Sequence, residues 1–315
     1  MSERRALLTG GAGFIGSHLA EALLAQDYRL RILDNFSTGQ RGSLPSGGFE
    51  LIEGDLRDRT LVETSLEGVQ VVFHQAARIS VPQSFEDPRA YYEVNVQGTL
   101  NVLSAALRAG VQRVVLASSA AVYSGSDTPV AESVRTSPHS PYAASKLAME
   151  EAAAMYHLHY GLPVVSLRYF NVYGPRQRLD SPYAALIPAF IQAWLTGRSP
   201  VIYGDGDQER DFVYVGDAVR ANLLAIDNEA AVGGTFNIGG GASVTVNELA
   251  RILQVVLPNA PEAVYGPPRQ GDIRFSKADL SQAEQALSYH PEVSLQEGLR
   301  LTVEWWLQER EKAEA

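Results

Sequence analysis

Short apolar runs alternate with longer amphipathic stretches from the start of the chain. The runs RALLT (5–9), RLRILD (29–34), FELIEGD (49–55), VQVVFHQAA (69–77), QRVVLASS (112–119) and PVVSLRYF (163–170) predict strands. Between them, helical spacing of apolar positions marks 14–26, 58–66, 88–109 and 141–160. Strands that are apolar on both faces and alternate with helices predict a parallel sheet covered on each side, a doubly wound α/β arrangement. After about residue 171 the alternation loosens into Gly-, Pro- and charge-rich loops, with helices near 183–196, 216–227, 245–257 and 295–310. This predicts a smaller C-terminal lobe beside the sheet and a cleft between the two. Residues 1–170 read as a nucleotide-binding domain to which segments near 210–240 return, and 171–315 mainly as a substrate-binding lobe.

The chain of 315 residues carries 26 Lys and Arg against 36 Asp and Glu, a formal charge of -10. That balance argues against broad affinity for nucleic acid or for an anionic membrane. No apolar run approaches the length of a membrane span and no leader pattern opens the chain, so a cytoplasmic protein is expected. With no cysteine there is no disulfide and no thiolate, and the six histidines (18, 74, 139, 157, 159, 290) form no metal-ligand cluster. Chemistry must rest on Tyr, Ser, Lys, carboxylates or a bound cofactor.

LLTGGAGFIGSHLAEALL follows the first strand and opens the first helix, placing Gly10, Gly13 and Gly16 as G-x-x-G-x-x-G. Glycine permits a tight turn and close approach of backbone to a diphosphate, whose charge then faces the helix N-terminus. The strand before it, the helix after it and Asp34 at the end of the second strand complete a Rossmann-type dinucleotide signature. A carboxylate at Asp34 accepts from ribose hydroxyls and repels a 2'-phosphate, which favours NAD over NADP. Asp55 ends the third strand, where it either meets the adenine amino group or caps the next helix.

Tyr142 and Lys146, in SPYAASK, lie four residues apart at the start of a predicted helix. A free tyrosine, with a pKa of ~10, is a weak base at neutral pH. A lysine one turn along on the same face favours the phenolate. Ser119 ends the fifth strand, at the sheet edge where ligands bind in open α/β folds, and Ser118 is its rival.

TGGAGFIG, SSAAVY (118–123), PYAASK (141–146), RYFNVYGP (168–175) and RDFVYVGDA (210–218), in this order, resemble the extended short-chain dehydrogenase/reductase family, specifically its nucleotide-sugar epimerases and dehydratases. The resemblance implies that NAD takes a hydride from a sugar carbon while Tyr142 takes the hydroxyl proton. It implies that Ser119 bonds the reacting oxygen, that Lys146 also holds the nicotinamide ribose, and that Asn95 orders nearby backbone. Phe14, Ile15, Asn35, Leu56, Ala76 and Tyr169 complete the expected cofactor contacts. Related dehydratases and decarboxylases carry an acid just after the serine, where this chain has Ala120 and Ala121. An alanine moves no proton, so the pattern resembles 4-epimerases, UDP-glucose/UDP-galactose above all. On the substrate side the resemblance points to Ser80, Asn171, Arg210, Arg269 and Asp272, with Gln83, Arg178 and Arg274 as lesser candidates. Ser276 falls where the resemblance places a residue limiting room at the sugar's C2 substituent, and a small side chain there admits an N-acetyl group. A homodimer is expected through the helices at 88–109 and 141–160, with Leu100, Leu103, Leu107, Leu147, Met149 and Met155 as its apolar residues.

Overall fold

The computed structural model describes residues 4–126, 128–179, 185–257, 260–268 and 273–314. The six apolar runs form strands β1 (Arg5–Thr9), β2 (Arg29–Asp34), β3 (Phe49–Glu53), β4 (Val71–His74), β5 (Arg113–Ser119) and β6 (Val164–Tyr169). Six further strands follow: β7 (Asn171–Tyr173), β8 (Val201–Tyr203), β9 (Glu209–Tyr214), β10 (Thr235–Ile238), β11 (Ser243–Thr245) and β12 (Val264–Gly266). The helices are α1 (Phe14–Ala25), α2 (Arg59–Ser65), α3 (Val81–Glu86), α4 (Pro88–Tyr91), α5 (Gly98–Ala109), α6 (Pro141–Tyr160), α7 (Leu186–Leu195), α8 (Val215–Asp227), α9 (Val246–Val256), α10 (Ser281–Leu287) and α11 (Leu295–Glu314).

The main sheet has seven strands in the order β10-β6-β5-β4-β1-β2-β3, all parallel. The order reverses between β1 and β4, which opens a crevice at their carboxyl ends. Alternation along each strand divides the side chains between two cores. Leu8, Ile32, Phe73, Val115 and Leu167 pack on one face. Leu7, Leu33, Val72, Val114 and Val164 pack on the other. A third core, around Phe190, Trp194, Leu249 and Leu299, belongs to the C-terminal elements. There β9 pairs with β7 and β11, and β8 pairs with β12. Among the described residues no helix is long and apolar enough to cross a membrane.

Two local features position the site. The helix α6 starts where Ser140 Oγ accepts from the Ala143 amide at 3.1 Å and Pro141 takes the first turn, and it stops at Gly161 with φ 70°. Both ends are thus fixed by the sequence. The stretch 88–109, predicted as one helix, is instead α4, a wider π-helical segment over Tyr92–Gln97, and α5. The wider segment carries Asn95, which is fully buried. Segments of this kind often mark functional sites.

Candidate active site

At the switch point, Gly10 has φ 72°, and its amide donates to Leu33 O at 2.9 Å. A Cβ on Gly16 would lie 2.1 Å from Gly10 O, and one on Gly10 would lie 2.7 Å from the Ala76 backbone. The turn is therefore closed to side chains, and it leads into α1 with Phe14 and Ile15 half-buried in its first turn. Asp34 Oδ2 accepts from the Ala12 amide at 2.9 Å, and Oδ1 accepts from Phe36 N at 2.8 Å. Each oxygen retains a lone pair for a further donor. Asp55 does not cap α2; that role belongs to Asp58, whose carboxylate accepts from Leu61 N. Asp55 instead accepts from Arg57 and from Asn35 Nδ2, and the Arg57 guanidinium holds its carboxyl well below the usual range. A turn shaped only for backbone, facing a helix N-terminus with a carboxylate beside it, fits a dinucleotide. Leu56 is buried under this edge, and Ala76 N donates to Thr9 Oγ1 at 3.2 Å.

Across the crevice, Ser119 at the end of β5 meets Tyr142 in α6. Burial pushes the Tyr142 phenol up to about 12, and the nearby Ser119 hydroxyl works against that rise without cancelling it. Tyr91 packs edge-on against the Tyr142 ring at 6.4 Å. Lys146 Nζ donates to Ala117 O at 2.8 Å, and burial brings its amine down to about 8, with Glu150 opposing. The lysine's ammonium is thus anchored on β5, and the phenol's own surroundings raise its pKa rather than lower it. The neighbouring Ser118 points to the opposite face, where its hydroxyl donates to Glu150. Glu150 is in turn held by Arg168 at 2.7 Å, so Ser118 is engaged away from Tyr142. Asn95 fastens the site's floor. Its side chain accepts from Arg78 N at 2.7 Å and donates to Arg78 O at 3.0 Å and to Ser145 Oγ at 2.9 Å. Tyr169, at the end of β6, accepts from Asn222 Nδ2 at 2.7 Å, and burial raises its phenol to about 12.

In the C-terminal lobe, Asn171, Gln177, Tyr203, Arg210 and Phe212 line a cavity of about 240 Å³. Asn171 Nδ2 donates to Asp211 O at 2.8 Å, and Arg210 donates to Ile273 O at 2.6 Å. Ser276 lies alongside β9, its carbonyl accepting from Asp211 N at 2.8 Å. Ser80 caps α3, and its carbonyl accepts from Tyr91 OH at 2.6 Å. Arg269 and Asp272 lie outside the described residues. The two lesser arginines are engaged elsewhere: Arg274 pairs with Asp205 at 2.7 Å, and Arg178 donates to Thr38 O at 3.3 Å.

Several residues at the site carry no motif that sequence spacing reveals. His18 Nε2 bonds Pro175 O at 2.9 Å while Arg176 bonds His18 Nδ1 and Glu21, which ties the 174–178 loop to α1. Gln75 and Asn222 hold the Tyr169 hydroxyl. Thr9, His74 and Thr99 join β1, β4 and α5 below the crevice. Their only sequence signal is polarity at a strand end or in a buried helix face.

The fold and the crevice define a dinucleotide-dependent protein of the extended short-chain dehydrogenase/reductase class. The chain belongs to the NAD dependent epimerase/dehydratase family, whose model matches residues 6–239. Its cofactor is NAD. It is 39% identical over 309 residues to the UDP-glucose 4-epimerase of Mycolicibacterium smegmatis, covering 96% of this chain and 98% of that one. Among solved structures it resembles the UDP-N-acetylglucosamine 4-epimerase of Methanobrevibacter ruminantium in complex with UDP-N-acetylmuramic acid. That likeness has a TM-score of 0.94 and 40% identity, over 98% of this chain and 100% of the other. It also resembles the Thermus thermophilus UDP-glucose 4-epimerase complex with NAD, with TM-score 0.88 and 40% identity over 96% and 99% of the two chains.

Proposed function

We propose that the protein interconverts the C4 epimers of a UDP-hexose, most simply UDP-glucose and UDP-galactose, through a transient 4-keto sugar. The observation that carries this reading is the placement of Ser119, at the carboxyl end of β5, beside the Tyr142 phenol of α6, followed by Ala120 and Ala121 in place of any further acid. Bound at the glycine turn, NAD supplies a reversible hydride acceptor. Tyr142 takes the C4 hydroxyl proton and returns it to the same oxygen after the sugar has turned over. Ser119 holds that oxygen in line with the phenol. Lys146 carries its charge one helical turn from Tyr142, and its assigned role is to favour the phenolate and to hold the nicotinamide ribose. One proton-handling unit suffices because oxidation and reduction occur at the same carbon.

In this reading residues 1–170, with 210–240, hold NAD through Gly10, Gly13, Gly16, Asp34 and Lys146. Residues 171–315 mainly hold the nucleotide, with Asn171 and Arg210 in the cavity joined by Arg269 and Asp272. The small Ser276 side chain supports acceptance of an N-acetyl group, as does the likeness to an N-acetylglucosamine epimerase.

The test is incubation with UDP, GDP and dTDP sugars, including the N-acetylated and uronic forms, with products identified by NMR. C4 inversion of UDP-glucose, and of UDP-N-acetylglucosamine, is expected. A 4-keto-6-deoxy product, release of carbon dioxide from a uronate, or inversion of UDP-glucuronate alone would overturn the assignment.

A further inference from the structure

His74 ends β4, is 1% exposed, and takes no part in the proton transfer described above. Its Nδ1 lies 2.8 Å from Thr9 Oγ1 and its Nε2 lies 2.9 Å from Thr99 Oγ1. The proton positions follow from the partners. Thr99 has one hydroxyl hydrogen, and it is given to Asn95 O at 2.5 Å. His74 Nε2 must therefore carry the proton and donate, which leaves Nδ1 as an acceptor for the Thr9 hydroxyl. Thr9 Oγ1 then accepts from Ala76 N. Each donor among Thr9, His74, Thr99 and the Ala76 amide has an acceptor, so this network has one self-consistent direction.

The two arms end at different parts of the site. One runs through Thr9 to Ala76, whose backbone closes on Gly10. The other runs through Thr99 to Asn95, which grips Arg78 and Ser145, and Ser145 Oγ donates to Tyr142 O at 2.7 Å. Burial, reinforced by the Lys146 charge, pushes the imidazole down to about 3, so it stays neutral across the working range. A protonated ring would direct an N–H at Thr9 and reverse that arm.

We propose that His74 is a positioning residue whose neutral Nε2–H tautomer ties the Ala76 backbone at the glycine turn to the Asn95–Ser145–Tyr142 backbone, so that the cofactor loop and the base keep one spacing. The proposal rests on the functional reading only for its turnover readout. Two replacements separate the arms. His74→Gln keeps a donor toward Thr99 and loses the acceptor for Thr9. His74→Asn keeps the acceptor and loses the donor.

The experiment measures kcat and KM for UDP-glucose on the NAD-bound protein, together with the NAD retained per chain after gel filtration. His74→Asn should retain NAD while kcat falls about 10- to 100-fold at unchanged KM, the scale of a small misplacement of a reacting group. His74→Gln should keep kcat near the parent's and lose NAD more readily. Thr99→Val should copy the Asn variant, and Thr99→Ser should restore kcat. Equal effects of the two His74 variants on both readouts, or Thr99→Ser performing no better than Thr99→Val, overturn the proposal. A parent that turns over no UDP-glucose refutes the functional reading alone, because NAD retention by the His74 variants is read without substrate. If the His74 variants do not fold, the Thr99 pair, which leaves the imidazole in place, decides by the same two readouts.

Discussion

Burial acts on Tyr142 and Lys146 in opposite senses, raising the phenol to about 12 and lowering the amine to about 8. Each shift disfavours the charged form, as desolvation does. The Tyr142 hydroxyl is nonetheless the proton-handling group of the proposed reaction. Tyr142→Phe should leave the fold and bound NAD intact and lower turnover by about two to four orders of magnitude. Rate assays beside an NAD determination check this, and undiminished turnover would remove Tyr142 from the role. For Lys146 the folded pKa lies below its ordinary 10.5. Stability from this group is therefore complete above 10.5 and is lost as pH falls through about 8. The full difference corresponds to about 3 kcal/mol. The NAD-free protein should show a rising urea midpoint from pH 8 to 10.5, and Lys146→Met should flatten that rise and raise the midpoint at pH 7 while abolishing turnover. A midpoint at pH 7 that drops on this substitution would show that the buried amine stabilises the chain. At this scale the sequence sets Tyr142 and Lys146 one turn apart on one helix but carries nothing about their protonation, because helical spacing holds no information about solvent exclusion or about Ala117 O, which holds the ammonium.

Among the elements, the junction of β1 and α1 tolerates the least change. Gly16 sits where a Cβ would overlap Gly10 O at 2.1 Å, so the helix can accept a side chain there only by moving off the strand. Gly16→Ala should reduce bound NAD to well below one per chain, read by absorbance of the denatured supernatant, while far-ultraviolet circular dichroism changes little. Full retention of NAD would show that the turn has slack the geometry denies. This element was legible because a turn closed to side chains demands glycine at fixed spacing, and α6 was legible because Ser140, Pro141 and Gly161 punctuate it. The 88–109 stretch was not fully legible: one wider segment barely disturbs the apolar pattern, yet it places Asn95 inside. Strands β7 to β12 were missed for a different reason. They have three to six residues each, and most of the partners are distant, as with β8 and β12, so neither alternation nor local turn chemistry marks them. The seventh strand of the main sheet, β10, is four residues long and returns to β6 only after the excursion through β7 to β9.

At the scale of the whole molecule, α6 presents two sides with different fates. Met149 and Ala153 are buried in the core between α6 and the sheet, and Leu103 of α5 lies in the same core. Leu103 and Met149, expected at a contact between copies, are therefore occupied within one chain. The opposite side exposes Glu151, Ala154, Met155 and Leu158, a stripe at helical spacing, with Tyr160 beyond it. Met155 is 52%, Leu158 74% and Tyr160 63% exposed. Three large apolar side chains within one and a half turns are costly to leave in water, at about 25 cal/mol per Å² of apolar surface. We infer that this side of α6 packs against a second copy about a twofold axis. Each copy holds its own Ser119, Tyr142 and Lys146, so pairing should not be required for chemistry. Sedimentation equilibrium at micromolar concentration should give twice the 34.2 kDa of one chain. Leu158→Glu, which sets a charge in the middle of the stripe, should shift the equilibrium to monomer and leave turnover per chain close to the parent's. A parent protein that sediments as a monomer would refute the pairing, and a Leu158→Glu variant that stays dimeric would move the interface to another face.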